Sequence, residues 1–169
     1  MASSIVSRGL DQLCELLGLV GPDDVGRATP CAEWNVGDLS DHIVNSVIGM
    51  TTMAQGGQPD WAATTHYDDA SSALAEQGRQ FVEALSGGSG GFPEGMAAAE
   101  LAVHAYDLAT GLGRSTDDLD PEVAETGHGF MTASMTPEMR GGAFGPEQPA
   151  PATANAYERI AAFAGRRVA

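Results

Sequence analysis

The sequence predicts an all-α protein, most simply a bundle of four long helices with shorter helical pieces. Apolar residues recur at spacings of three and four in several segments, which is typical of amphipathic helices. No segment shows the polar–apolar alternation of a half-buried β-strand, and there is no internal repeat. Stretches rich in Gly and Pro separate the helical segments and mark the connections between them.

The first three helices are predicted over 4–20, 36–54 and about 68–86. Gly21-Pro22 ends the first helix, because proline disfavours a helical residue before it. Asn35 caps the second, with Asp38 placed to complete a capping box. The apolar stripes contain Val6, Leu10, Leu13, Leu17 and Val20, then Leu39, Ile43, Val47 and Met50, then Leu74, Phe81, Val82 and Leu85.

A flexible Gly-rich connector at 87–91 leads to a fourth helix over about 93–112, whose first turn suits Pro93. A fifth helix is predicted to start at 120–122 and to end near Met135, with Gly127 and Gly129 weakening it.

Three prolines predict an extended, non-helical connection over 141–151. We expect Thr153 to cap a last short helix that carries Tyr157 and Ile160. Gly165 and the positive charges of Arg166 and Arg167 would close this helix.

Length and composition indicate one globular domain, residues 1–169. We expect a small molecule as its partner. The net charge is −15, from 23 acidic residues against 8 basic ones, so nucleic acids and anionic membrane surfaces would be repelled. No apolar run approaches the roughly 18 residues of a spanning helix, and the N-terminus lacks a signal-peptide pattern. We therefore expect a cytoplasmic protein. Cys14 and Cys31 form no Cys-x-x-Cys motif and predict no disulfide framework.

Three polar residues of the fourth helix indicate possible metal chemistry. Glu100 and His104 are one helical turn apart, and Asp107 is three residues further, so all three share one face. Such a face offers two metal ligands with a supporting carboxylate below them. The alternative is a solvated stripe on an amphipathic helix.

A metal site in a bundle needs at least one more ligand from a facing helix. His42 is the best candidate because it lies near the middle of the second helix, whereas His66 falls in a loop and His128 in the weakest helix. Three protein ligands leave a coordination position open to water or substrate, as in catalytic zinc sites. The alternative is that His42 is a buried histidine with a hydrogen-bond partner and no metal.

Three segments resemble the mycothiol-dependent maleylpyruvate isomerase N-terminal family, part of the wider DinB-like group of metal-binding four-helix bundles. Residues 29–42 (Thr-Pro-Cys-Ala-Glu-Trp-Asn-Val-Gly-Asp-Leu-Ser-Asp-His) resemble the segment that leads into the first ligand helix. Residues 100–113 resemble the Glu-x-x-x-His-x-Trp-Asp-Leu-Ala motif, with Tyr106 in place of Trp. Phe144-Gly-Pro146 and Ala161-x-Phe163-x-Gly165-Arg166 resemble the closing segment of short, actinobacterial-type members.

The resemblance implies that His42, Glu100 and His104 bind a divalent metal, usually zinc, with Ni²⁺ or Fe²⁺ as alternatives. It also implies a low-molecular-weight thiol as cosubstrate, activated by the metal. Asp107 would then support the site by fixing an imidazole or an arginine; the alternative is a surface carboxylate. Cys31 is expected to have a structural role. The substitution at Tyr106 implies altered packing around this motif.

Several functions are compatible with these features. The first is a metal-dependent transferase or isomerase that acts on a small organic molecule through a metal-activated thiolate. A variant is a tailoring enzyme of secondary metabolism that uses the metal as Lewis acid or water activator without a thiol. The others are a non-catalytic bundle that binds a metal or ligand, and a helical protein without any metal. The substrate and the choice between monomer and homodimer stay open, although apolar residues around Trp61 or Phe130 would suit a dimer contact.

Overall fold

The all-α prediction is confirmed by the computed structural model, which describes residues 4–87, 91–141 and 144–168. These ranges contain no β-strand beyond two isolated bridges, Ala28 with Asn35 and Gly141 with Phe144. Residues 88–90 of the predicted Gly-rich connector lie outside the described residues. The helices are α1 (Ile5–Leu17), α2 (Val36–Ala54), α3 (Ala70–Ser86), α4 (Glu94–Gly111), α5 (Pro121–Ser134) and α6 (Ala156–Phe163), with a short 3₁₀-helix (Pro137–Met139) before α6.

Helices α1 to α4 close into a ring in which each one packs against two others of the four. The order around the ring is α1, α3, α2, α4, and α4 packs against α1 again. Helix α5 lies across α4 and α1, and α6 covers α5 and α4. Helix α4 is therefore covered on most sides, and almost all of it from Ala97 to Ala109 is buried. Polar side chains on such a helix are enclosed by protein rather than by solvent.

Side-chain caps decide where several helices begin. The predicted capping box of α2 is confirmed, since the Asn35 side chain accepts a hydrogen bond from the Asp38 N–H and the Asp38 carboxylate accepts from the Asn35 N–H. The prediction that Thr153 caps the last helix is wrong. Asn155 caps α6 instead, because its side chain and that of Glu158 form a second capping box.

Two predicted boundaries also change. Helix α1 ends at Leu17 rather than at residue 20, with Gly18 as its C-cap. Helix α3 begins at Ala70, because the Asp69 carboxylate accepts the Ser72 N–H as an N-cap. Among the described residues, no helix combines the length and apolar character needed to cross a membrane.

Candidate metal centre

Helices α2 and α4 bring His42, Glu100 and His104 together at the centre of the bundle. One ligand-type atom from each of the three lies within 4.8 Å of the others. Glu100 Oε1 is 3.1 Å from His104 Nε2 and 3.6 Å from His42 Nε2. We call these three residues the ligand cluster. The sequence placed two of them on one helical turn, and the ring of helices supplies the third.

Neighbouring side chains hold the ligand cluster in position. The Trp34 indole stacks on the His42 imidazole with ring centroids 3.9 Å apart and an angle of 21° between the planes. Ser46, one turn after His42 on α2, donates a 2.6 Å hydrogen bond to Glu100 Oε1. These contacts restrict the His42 ring and the Glu100 carboxylate to few rotamers, which pre-organises both groups.

Asp107 is fully buried and connects His104 to Arg166. Its carboxylate accepts two hydrogen bonds from the Arg166 guanidinium, from Nε at 3.2 Å and from Nη2 at 2.9 Å. Asp107 Oδ2 also lies 3.4 Å from His104 Nδ1, a buried ring nitrogen without a hydrogen bond of normal geometry among the described residues. The reading of Asp107 as a surface carboxylate is therefore wrong, because α6 and the segment after it cover this part of α4. Asp107 can orient the His104 ring, as carboxylates beneath metal-binding histidines do.

A close backbone contact puts Arg166 into the core. Gly165 has a φ of +95°, and a Cβ added to it would lie 2.7 Å from Gly145 Cα. Only glycine fits both this conformation and this approach. The chain then turns inward, and Arg166 is 4% exposed. The expectation that Arg166 closes the last helix by its charge is thus incomplete, since its guanidinium pairs with Asp107.

The negative charge of Glu100 and the positive charge of His104 stabilise each other. Burial by itself would raise the pKa of Glu100, but the charge and hydrogen bond of His104, with the nearby His42 imidazole and the hydrogen bond from Ser46, hold this pKa well below its ordinary value. Burial would lower the pKa of His104, yet the Glu100 charge and the contact with Asp107 raise it to about 9. At neutral pH the cluster therefore holds a carboxylate beside a protonated imidazole, a position in which a metal ion would replace the proton.

One side of the ligand cluster faces a cavity of about 400 Å³. His42, Ser46 and Glu100 form its polar end. Helices α2, α4 and α5, the loop after α2 and the segment after α5 form the walls. The remaining lining residues are almost all apolar: Met50, Trp61, Met96, Ala99, Phe130, Met131, Ser134, Met135, Met139 and Phe144.

The other histidines and the cysteines are not part of the ligand cluster. His66 is exposed and its Nδ1 is 2.8 Å from Asp41 Oδ2. His128 packs against the Phe163 ring, with centroids 5.3 Å apart. Cys31 is buried, and burial raises the pKa of its thiol, which is consistent with the expected structural role. Burial also raises the pKa of the half-buried Cys14, to about 11.

Sequence reasoning missed the groups around the three ligands. Trp34 lies in the family-like segment 29–42, but its stacking on His42 was not predicted. The cavity wall went unnoticed, although Met131, Met135 and Met139 recur at a spacing of four residues. Met131 lies in α5, whereas Met135 and Met139 follow its end, so the three reach the cavity from different elements. Trp61 and Phe130, expected to suit a dimer contact, both line the cavity. Trp61 is also 54% exposed, and the dimer contact stays a prediction.

Two proteins of Mycobacterium tuberculosis resemble the chain over nearly its whole length. They are "Uncharacterized protein Rv0738" of strain ATCC 25618 / H37Rv and "Uncharacterized protein MT0763" of strain CDC 1551 / Oshkosh. Each is 32% identical to the chain over an alignment of 180 positions, which covers 95% of this chain and 95% of the relative. No protein-family profile matches the chain, and no solved structure matches it significantly. At this identity and coverage, the chain belongs to the same family as these two mycobacterial proteins.

Proposed function

We propose that the protein is a divalent-metal-dependent enzyme acting on a small organic molecule, with His42, Glu100 and His104 as metal ligands. The observation that carries the proposal is the convergence of three ligand atoms within 4.8 Å at the wall of a 400 Å³ cavity. A purely structural metal site has no need of such a cavity. The volume falls within the roughly 300–1,000 Å³ typical of small-molecule sites.

Two of the three distances between ligand atoms in the ligand cluster suit zinc, and the third is no longer than 4.8 Å. Zinc bonds to nitrogen and oxygen are about 2.0–2.2 Å long, so neighbouring ligand atoms of a tetrahedral site are about 3.3 Å apart. The contacts from Glu100 Oε1 to the two imidazoles, 3.1 Å and 3.6 Å, bracket this value. Two histidines and one glutamate are also a ligand set of catalytic zinc, although Ni²⁺ and Fe²⁺ accept the same groups.

The surrounding residues have definable roles in this proposal. Trp34 and Ser46 fix the orientations of His42 and Glu100, while Asp107 fixes the His104 ring through its Nδ1 and is itself held by Arg166. When bound, a zinc ion would lower the pKa of a coordinated thiol or water, or polarise a carbonyl. The cavity would exclude water around the reacting group, which strengthens electrostatic interactions there.

The reaction we propose is transfer or isomerisation that depends on a low-molecular-weight thiol. The resemblance to the mycothiol-dependent, DinB-like proteins favours this reaction class, and the open side of the ligand cluster leaves room for a thiol sulfur. Turnover of electrophilic or unsaturated small molecules should then require added thiol. Equal turnover without thiol would favour the Lewis-acid alternative, and binding without turnover of any such compound would favour a non-catalytic metal protein.

Metal content tests the proposal directly. Protein prepared without an affinity tag should contain about one equivalent of a divalent metal by elemental analysis, while Glu100→Gln and His104→Ala should lose it. His66→Ala is the matched control, because this exposed histidine lies outside the ligand cluster and should leave the metal content unchanged. Circular dichroism checks that each variant folds. A folded wild-type protein that takes up no metal would overturn the proposal.

A further inference from the structure

The cavity beside the ligand cluster is built for an apolar molecule. Five of the seven methionines of the chain line it, together with three aromatic side chains. Methionine is flexible and polarisable, so such a wall can adapt to ligands of different shape. Burial of an apolar ligand against this wall is favourable in proportion to the area removed from water.

Away from the ligand cluster, the cavity wall offers no cationic partner to a negative charge. Among its described lining residues, only His42 and Glu100 are ionisable, and both belong to the ligand cluster. No arginine lines it, and the chain contains no lysine. A carboxylate or phosphate held against the apolar wall would be desolvated without a partner, and the net charge of −15 would oppose its approach.

Two glycines shape the aromatic part of the wall. The Trp61 ring lies across Gly49 of α2, where an added Cβ would be 2.5 Å from Trp61 Cζ3. Phe130 lies against Gly95 of α4, where an added Cβ would be 2.7 Å from Phe130 Cβ. Each ring can sit this close to the helix only because its neighbour has no side chain. The positions of the two rings, and hence the width of the cavity, depend on these glycines.

We infer that the substrate is a neutral, largely apolar small molecule whose single polar group points to the ligand cluster. This assignment narrows the proposed function by naming the substrate class, and it distinguishes this cavity from one that binds an anionic substrate. The placement of the polar group rests on the proposed function. The apolar and neutral character rests on the cavity wall alone, so it is testable without metal and without turnover.

A matched pair of fluorophores tests the charge preference. N-phenyl-naphthylamine is neutral, and anilinonaphthalene sulfonate has the same ring framework with one added negative charge. In metal-free protein, the neutral dye should bind one-to-one with blue-shifted, enhanced emission. The sulfonate should bind at least about tenfold more weakly, because its charge finds no partner. Equal or tighter binding of the sulfonate, or no binding of the neutral dye, would overturn the inference.

Two pairs of variants locate the bound dye. Met135→Glu should weaken binding of the neutral dye by about tenfold or more, whereas Met135→Gln, similar in size but uncharged, should weaken it less. Gly49→Ala should change the dye affinity by displacing Trp61, while Gly129→Ala, a helical glycine with open space around it, should not. Unchanged affinity in both Met135→Glu and Gly49→Ala would place the dye elsewhere and refute the inference.

The outcomes separate this inference from the proposed function. The dye titrations use metal-free wild-type protein, so they measure the charge preference of the cavity independently of metal binding. If wild-type protein selects the neutral dye but takes up no metal, the substrate class stands and the metal enzyme falls. If it binds metal but prefers the sulfonate, the metal-dependent enzyme stands and the substrate class falls.

Discussion

Two buried polar networks of this protein differ in whether their hydrogen bonds close. The first is the ligand cluster between α2 and α4. The second joins α1, α5 and α6 through Gln12, Asp120 and Tyr157, and we call it the Tyr157 network. There, the Gln12 side-chain amide donates to the Tyr157 hydroxyl, the hydroxyl donates to the Asp120 backbone carbonyl, and the Asp120 N–H donates back to Oε1 of the Gln12 side chain.

The difference shows which feature marks a candidate site. In the Tyr157 network, donors and acceptors form a ring, with Arg8 paired to the carboxylates of Asp120 and Glu122 at its rim. In the ligand cluster, groups that accept protons or metals converge on one point beside a cavity. A buried nitrogen without a hydrogen bond does not distinguish the two, because among the described residues both Arg8 Nε and His104 Nδ1 are such atoms. Buried polarity is common to both, so convergence beside open space is the informative property.

The largest effect is expected from Asp107, which supports the ligand cluster. Asp107→Ala should lower the free energy of unfolding by about 3–5 kcal/mol, because Arg166 is left buried without its carboxylate. In variants that still fold, metal affinity should fall by about 10–100-fold. Denaturant titration and metal titration measure the two effects. The double variant Asp107→Ala/Arg166→Met should regain much of the stability but not the metal affinity; if it regains both, Asp107 does not orient His104.

A second prediction concerns the contact between α4 and α5, which positions the wall of the cavity. A Cβ on Gly127 would lie 2.6 Å from the backbone of Ala99, so Gly127→Ala should destabilise the protein by about 2–3 kcal/mol. Gly129→Ala meets nothing within 4 Å and should stabilise α5 by about 0.5–1 kcal/mol. Chemical denaturation of both variants tests this. Equal effects of the same sign would show that helix propensity, rather than the close approach, governs both positions.

The Tyr157 network should affect stability alone. Tyr157→Phe removes the hydroxyl that links Gln12 to Asp120, so the free energy of unfolding should fall by about 1–2 kcal/mol. Metal content should match that of the wild-type protein. A variant that is equally stable but poor in metal would contradict the division between the two networks.

The smallest effect is expected from the exposed pair of His66 and Asp41. The hydrogen bond between His66 and Asp41 raises the pKa of His66 above its value in the unfolded chain. The charged pair therefore stabilises the fold at pH values below the unfolded pKa. The contribution is lost as pH rises through the folded pKa. The stability difference between wild type and His66→Ala should therefore be larger at pH 5.5 than at pH 8.5. A difference that grows with pH would show that the ion pair is not its source.

Features that depend on residues close together in the sequence are the ones that could be predicted best. The bounds of α2 came from the Asn35 capping box and an apolar stripe, both local in sequence. The predicted cap of α6 is wrong because two suitable residues, Thr153 and Asn155, are close together in the sequence. The feature that distinguishes them is also local, since only Asn155 has a glutamate, Glu158, three residues later. In the candidate site, Glu100 and His104 were recognisable because four residues make about one helical turn.

The sequence by itself determined that the chain is helical and that Glu100, His104 and Asp107 share a face. Helical periodicity and capping are local properties, which explains this success. Tertiary structure alone decided that Asp107 is buried against Arg166, since 59 residues separate the two. It also decided that Gly127, which weakens α5 as an isolated helix, allows α4 and α5 to approach closely. The cavity likewise exists only where several helices and loops meet, because no single segment encloses space.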